Sequence, residues 1–235
     1  MIEREGISAA ERCECANAAR SIFLKEKSNV PPLYQSASLD NFSTPQDNPS
    51  ASLGLKTALL TVRTYVREYP NTPKPGLLFM GPTGTGKTHL AIAALRGLIG
   101  RGFEGVFFDF QNLLDRIRSG YDQASGTMDR EAHRTVLETE IVVLDDLGAH
   151  RVTDWVEDTI TSIITYRCNN RKPTIVTTNL RDPEAGDQRG SGLPDDVHSK
   201  YFLEERIGMR ARSRLFEMCK LVKMPWVEDY RLKRR

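Results

Sequence analysis

The chain is short of cysteine, with four among 235 residues, at positions 13, 15, 168 and 219. Two form a Cys-Glu-Cys pair near the start and two stand alone. That is no disulfide framework, so a reducing cytoplasm is the expected setting. Zinc takes four ligands, and Cys13 and Cys15 have no second cysteine pair nearby to complete a set, so they are assigned no metal role. No long uncharged apolar run is present, so no segment is expected to cross a membrane. Met1 to Ala10 lacks the apolar core of a signal peptide. Internal repeats are absent, and neither sign of charge is in large excess.

What is there suits one α/β domain with a short appendage: 39% of the residues are hydrophobic and 27% charged. The net charge of +2 hides an uneven distribution. From Lys200 to Arg235 there are 11 basic and 5 acidic residues, while the first 199 residues sum to −4. A basic C-terminal segment fits contact with phosphates, of nucleotide or of nucleic acid.

The stretch with the most chemistry is Gly81-Pro82-Thr83-Gly84-Thr85-Gly86-Lys87-Thr88, followed by His89. A short apolar run, Leu77 to Met80, precedes it and an alanine- and leucine-rich segment to Ile99 follows, giving strand, glycine loop and helix. A G-x-x-x-x-G-K-[ST] loop works because its glycines let backbone N–H groups curl around phosphate oxygens, helped by the positive end of the next helix. Lys87 is expected to neutralise the β- and γ-phosphates and Thr88 to ligate Mg²⁺. The chain is therefore expected to bind a nucleoside triphosphate.

A second motif ends the apolar run Ile141-Val142-Val143-Leu144 with Asp145 and Asp146, 58 residues beyond Lys87. Four consecutive β-formers predict a strand buried on both faces of a parallel sheet, and carboxylates at its C-terminal end lie where open α/β sheets bind ligands. Asp145 is expected to hold Mg²⁺ through water and Asp146 to orient or deprotonate the attacking water.

The remaining elements follow from periodicity and punctuation. A helix is expected from Ala9 to Lys27, ended by Pro31-Pro32, and a turn-rich linker from Ser43 to Ser50. That divides the chain into an N-terminal module, residues 1–48, and an ATPase domain, residues 49–235. Leu55, Leu59, Val62, Val66 and Tyr69 mark an amphipathic helix. Residues 105–110 read as a strand, 111–118 and 128–140 as helices, 153–168 as a helix, and 173–178 as a strand tipped by Asn179. A basic helix pair spans 199–218 and a short strand 220–223.

In this order GPTGTGKTHLA, VVLDDLG, TIVTTN, SRLFEMC and EDYR resemble the DnaC/IstB group of AAA+ ATPases, over about Leu39 to Arg231. The lead-in CECANAARSIF…VPPLYQSASLDNF is similar to that of DnaC-type helicase loaders. The resemblance implies a P-loop NTPase fold: a RecA-like core with a central five-stranded parallel sheet flanked by helices. It implies ATP, ADP and Mg²⁺ as ligands and ATP-dependent self-association into helical or ring-like oligomers that share each nucleotide. Asn179 becomes sensor one and Arg231 the sensor-two arginine that touches the triphosphate in cis. Arg214 matches the finger lent to a neighbour best, with Arg206 and Arg210 also in its box. Residues 112–138 correspond to the initiator/loader element, where Arg116, Arg118 and Tyr121 are the candidates for single-stranded DNA. Only four residues follow Arg231, so no helical lid domain is expected.

The function implied is weak, assembly-stimulated ATP hydrolysis coupled to loading a replicative hexameric helicase onto single-stranded DNA. Residues 1 to about 45 would hold the helicase. The alternatives are an IstB-like transposition helper acting with duplex DNA, and a nucleotide-gated adaptor that scarcely hydrolyses ATP. The second stays open because Asp146 stands where glutamate is common.

Overall fold

The computed structural model describes residues 2–4, 7–9, 14–119, 128–149, 151–186, 201–227 and 229–230. An antiparallel pair, β1 (Ile2–Arg4) and β2 (Ile7–Ala9), comes first. Helix α1 (Glu14–Lys27) follows, so the helix expected from Ala9 starts five residues later. Pairing of Ile2 with Ala9 commits that backbone to the strand pair instead. Helix α1 and the segment after it join the main core, to which Leu24 and Ala37 contribute buried side chains. Ser28 O accepts from Phe107 N–H at 2.8 Å, which covers one edge of the central sheet.

Helix α2 (Pro49–Glu68) starts on a proline, behind an Asn48 side chain that accepts from Ala51 N–H. Then come β3 (Gly76–Met80), α3 (Lys87–Gly100), β4 (Gly105–Asp109), α4 (Phe110–Ser119) and α5 (Met128–Glu138). They are followed by β5 (Ile141–Asp145), α6 (Asp154–Asn169), β6 (Thr174–Thr178), α7 (Leu203–Met218) and β7 (Cys219–Lys223). The helix pair expected over 199–218 is present within Leu203–Met218 as two helical segments that meet at a kink at Gly208, whose φ of 76° is not helical.

Strands β3 to β7 form one parallel sheet in the order β4–β5–β6–β3–β7. After β3 the chain crosses to the far edge at β4 and works back through β5 and β6 to lie beside β3. That route sets the C-terminal ends of β5, β6 and β3 side by side, which is where the motifs fall.

Alternation divides the core cleanly. Leu77, Phe79, Val143 and Ile175 pack with α2 and α3, while Leu78, Met80, Leu144 and Val176 pack with α4 to α7. The N-terminal end of the sheet, away from those motifs, is tied by Arg167 of α6, which has no solvent exposure. Its guanidinium donates to the carbonyls of Val136, Leu137, Thr139, Glu140 and Pro173 and to the Thr174 hydroxyl, at 2.6–3.3 Å. One side chain thus satisfies the C-terminal carbonyls of α5 and the turns entering β5 and β6.

Candidate functional site

The glycine loop links β3 to α3, and its shape depends on two glycines. Gly84 and Gly86 have φ of 76° and 90°, a region that residues with a Cβ avoid. Space requires them as well. A Cβ on Gly86 would stand 2.6 Å from the Phe42 ring, and one on Gly84 would collide with Asp229. The loop is therefore clasped from both sides. Ahead of it Phe42 faces His89, ring centres 5.6 Å apart, and Ser38 O lies 3.0 Å from His89 Nε2. Behind it Tyr230 N–H donates to Gly84 O at 3.4 Å, and Ser43 and Tyr230 join the two clasps through their hydroxyls.

Inside the loop, Lys87 is buried and its ammonium donates to Gly81 O and Pro82 O at 2.9 and 2.7 Å. Thr85 donates to Pro82 O at 2.9 Å. Thr83 is exposed at the turn. Gly86 N-caps α3, so the first N–H groups of that helix open towards the same cradle.

Beside the loop, Thr88 Oγ1 meets both carboxylate oxygens of Asp145, at 2.9 and 3.1 Å. The two acids of the second motif are not equivalent. Asp145 is buried, whereas Asp146 is exposed and has φ of 57° as the chain leaves the strand. Burial raises the Asp145 pKa; hydrogen bonds from Thr177 and Thr88 oppose the rise, and the charges of Asp146 and Asp109 add to it.

Thr177 was not singled out from sequence. Its hydroxyl donates to Asp145 Oδ1 at 2.6 Å and accepts from Asp146 N–H at 2.9 Å. The signal lies in the Thr-Thr-Asn run, read with period two once β6 is known to neighbour β5. Asn179 follows β6 and is half-buried. Since Thr178 pairs with Met80, it comes level with the start of the loop at Gly81.

The donor set fits a triphosphate and its cation: a left-handed glycine turn at the start of a helix, a buried ammonium, and a hydroxyl paired with a buried acid. A model of the family described as IstB-like ATP binding protein matches residues 59–188.

The chain belongs to this family.

Among curated relatives of this IstB-like protein, the replicative helicase loader DnaC of Escherichia coli (strain K12) is 26% identical over 169 residues. That match covers 72% of this chain and 66% of the loader, so the chain spans just under two thirds of the relative's length. A crystal structure of the DnaC helicase loader is 34% identical, with TM-score 0.65 over 83% of this chain and 100% of that one. AMPPCP-bound DnaA from Aquifex aeolicus shares the fold at 19% identity, TM-score 0.58, over 86% of this chain and 54% of that one. The architecture is that of an AAA+ P-loop NTPase, as the sequence implied.

The other expected residues of this IstB-like chain fall in three places. Arg206 lies against Gly148, near the exit of β5, with its guanidinium 3.9 Å from the Tyr201 ring centre. Arg210 is exposed just past the kink. Arg214 is paired with Glu217 at 2.6 Å, towards the end of α7 that feeds β7 at the level of Gly76. On α4, Arg116 lies over Phe108 at 6.0 Å and Arg118 over Trp155 at 4.5 Å. Tyr121 and Arg231 are outside the described residues, as is Cys13. Among the described residues no helix is long and apolar enough to cross a membrane.

Proposed function

We propose that the protein is an ATP-hydrolysing switch that delivers a replicative hexameric helicase to single-stranded DNA. The observation that carries the nucleotide part is the convergence of Lys87, Thr88, Asp145 and Thr177 at the ends of three neighbouring strands. Lys87 and the loop N–H groups would hold the phosphates, and Thr88 with Asp145 would hold Mg²⁺. The cation would supply charge neutralisation at the phosphates. Asp146, exposed at the mouth of the site, would orient or deprotonate the attacking water, with Asn179 beside it.

Self-association supplies what this chain's own site lacks in the reading. Arg214 lies towards the end of α7 that feeds β7 and is paired with Glu217 there, which supports a role on a neighbouring copy; Arg206 and Arg210 are the alternatives on the same helix. An arginine suits that role because its charge is permanent and its fork matches phosphate oxygens. Arg116 and Arg118, each over an aromatic ring, support a DNA-facing surface on α4, to which Tyr121 would add. Residues 1 to about 45 would capture the helicase, and Arg231 would touch the triphosphate in cis.

Support for helicase loading is the similarity to curated loaders; the family description keeps an IstB-like transposition helper as the second reading. Pull-down of a replicative hexameric helicase by the full chain and by a chain lacking residues 1 to 45, with and without ATP, decides between them. ATP-responsive capture lost on deletion supports the loader. Failure to capture helicase, together with preference for duplex over single-stranded DNA, overturns it in favour of the helper. Helicase capture without measurable hydrolysis would leave a nucleotide-gated adaptor.

A further inference from the structure

Arg181 lies two residues beyond Asn179, and its backbone is held on both sides: N–H donates to Tyr201 O at 3.3 Å and its carbonyl accepts from Leu203 N–H at 2.8 Å. The side chains around it alternate in direction. Thr178 donates to Leu147 O, Leu180 packs on Gly148, and Asp182 takes both ends of the Arg212 fork at 2.7 Å. Those even-numbered residues turn to the face carrying α6 and α7. Thr177 turns the other way, to Asp145, whose carboxylate also meets Thr88 at the start of α3. The alternation of an extended chain therefore assigns Asn179 and Arg181 to the face of the glycine loop.

On that face Arg181 is only 8% exposed, and neither Nε nor Nη2 meets an acceptor among the described residues. A guanidinium taken out of water without an anion or carbonyl is strongly disfavoured. The acid next to it in sequence, Asp182, is fully buried and engaged by Arg212. Arg167 shows the contrast within the same fold, since every nitrogen of that buried guanidinium has an acceptor.

We propose that Arg181 receives the terminal phosphate of a nucleoside triphosphate held by the glycine loop of the same chain. Its planar fork, carried on a backbone held by the bridge to Phe202, makes it a specificity residue for triphosphate over diphosphate. The inference rests on the triphosphate reading of the loop and adds to it a residue that discriminates between nucleotides. It also links that discrimination to the segment entering α7, which carries the candidate finger arginines.

The test uses the full chain and fluorescent analogues of ATP and ADP with Mg²⁺, comparing wild type with Arg181→Gln, Arg181→Lys and Lys87→Ala. Arg181→Gln should weaken the ATP analogue about tenfold and the ADP analogue less than about twofold, with Arg181→Lys between. Without nucleotide, Arg181→Gln should melt no lower than wild type, because it removes a buried charge whose Nε and Nη2 have no acceptor among the described residues. Equal losses for both nucleotides, unchanged affinities, or a lowered melting temperature without nucleotide would each overturn the assignment. Lys87→Ala separates the two levels. If it loses both analogues while Arg181→Gln loses neither, Arg181 alone is misassigned. If Lys87→Ala binds both as wild type does, the loop reading fails and this inference with it.

Discussion

The hydroxyl of Thr177 donates to Asp145 Oδ1 at 2.6 Å while the same oxygen accepts from the backbone N–H of Asp146 at 2.9 Å. One small side chain thereby orients the buried acid and pins the backbone of the exposed one. Thr177→Val keeps the shape and removes both bonds. Hydrogen bonds to charged groups contribute about 1.5–3 kcal/mol, so hydrolysis should fall by roughly 10- to 100-fold. Nucleotide affinity without Mg²⁺ should change less than about threefold, since the loop is untouched. Thr177→Ser should retain most of the rate. Steady-state hydrolysis across a Mg²⁺ titration checks this, and a wild-type rate for Thr177→Val would refute the role.

Asp145 provides a pH prediction. Burial raises its pKa above the ordinary aspartate value, so across the acid range the folded chain binds more protons than the unfolded one. The stability associated with this group is present below the unfolded pKa and is lost as pH rises through the folded value. Asp145→Asn removes the loss. The variant should melt higher than wild type without nucleotide at pH 7, with the gap closing towards pH 4, and should lose Mg²⁺-dependent hydrolysis. A gap that widens on acidification would contradict the sign.

Gly86→Ala tests the clasp on the loop. Two penalties apply: a φ of 90°, and a Cβ 2.6 Å from Phe42. Left-handed backbone costs a residue with a Cβ about 1–2 kcal/mol, and nucleotide affinity should fall by at least about tenfold. Adding Phe42→Ala should recover part of the stability, because the ring can be removed but the backbone angle cannot. No recovery in the double variant, read by urea unfolding, would mean that Phe42 does not press on the loop.

Arg167→Met should be the most destabilising change of the set. It strands five carbonyls at the end of the sheet away from the site. Loss of the ion's hydrogen bonds in a buried network costs about 3–5 kcal/mol, a large part of the stability of a domain. Urea unfolding measures it; a change under about 1 kcal/mol would show the clamp to be dispensable.

Arg214→Ala should leave nucleotide affinity intact and remove DNA-stimulated hydrolysis, as expected of a residue that acts on a neighbour. Mixing it with Asp146→Ala should restore part of the rate, since a mixed interface can pair an intact arginine with an intact acid. Without restoration, the site is not shared through this arginine. The same mixing with Arg206→Ala and Arg210→Ala then identifies the finger.

The glycine loop and the two-acid strand were legible because their chemistry is contiguous. A loop that wraps phosphate with its own N–H groups needs neighbouring residues of fixed type, so Gly81 to Thr88 announce themselves, as do the strands from their buried runs. The helix starting at Ala9 was misplaced because short strand pairing, which leaves little local signal, competes for the same backbone. Arg167 reads in sequence as one more basic residue on a helix; only folding reveals that it faces the turns entering β5 and β6.

By itself, then, the sequence pointed to the glycine loop, to Thr88 and Asp145 as residues that act together, and to a parallel sheet to carry them. Tertiary structure alone decided that Thr177 serves both acids, that Phe42 and Asp229 close on the loop, and that Arg181 is buried. Thr177 and Asp145 are 32 positions apart in the chain. What joins such groups is the order of strands in the sheet and their register, set by packing over the whole core rather than by any local run of residues.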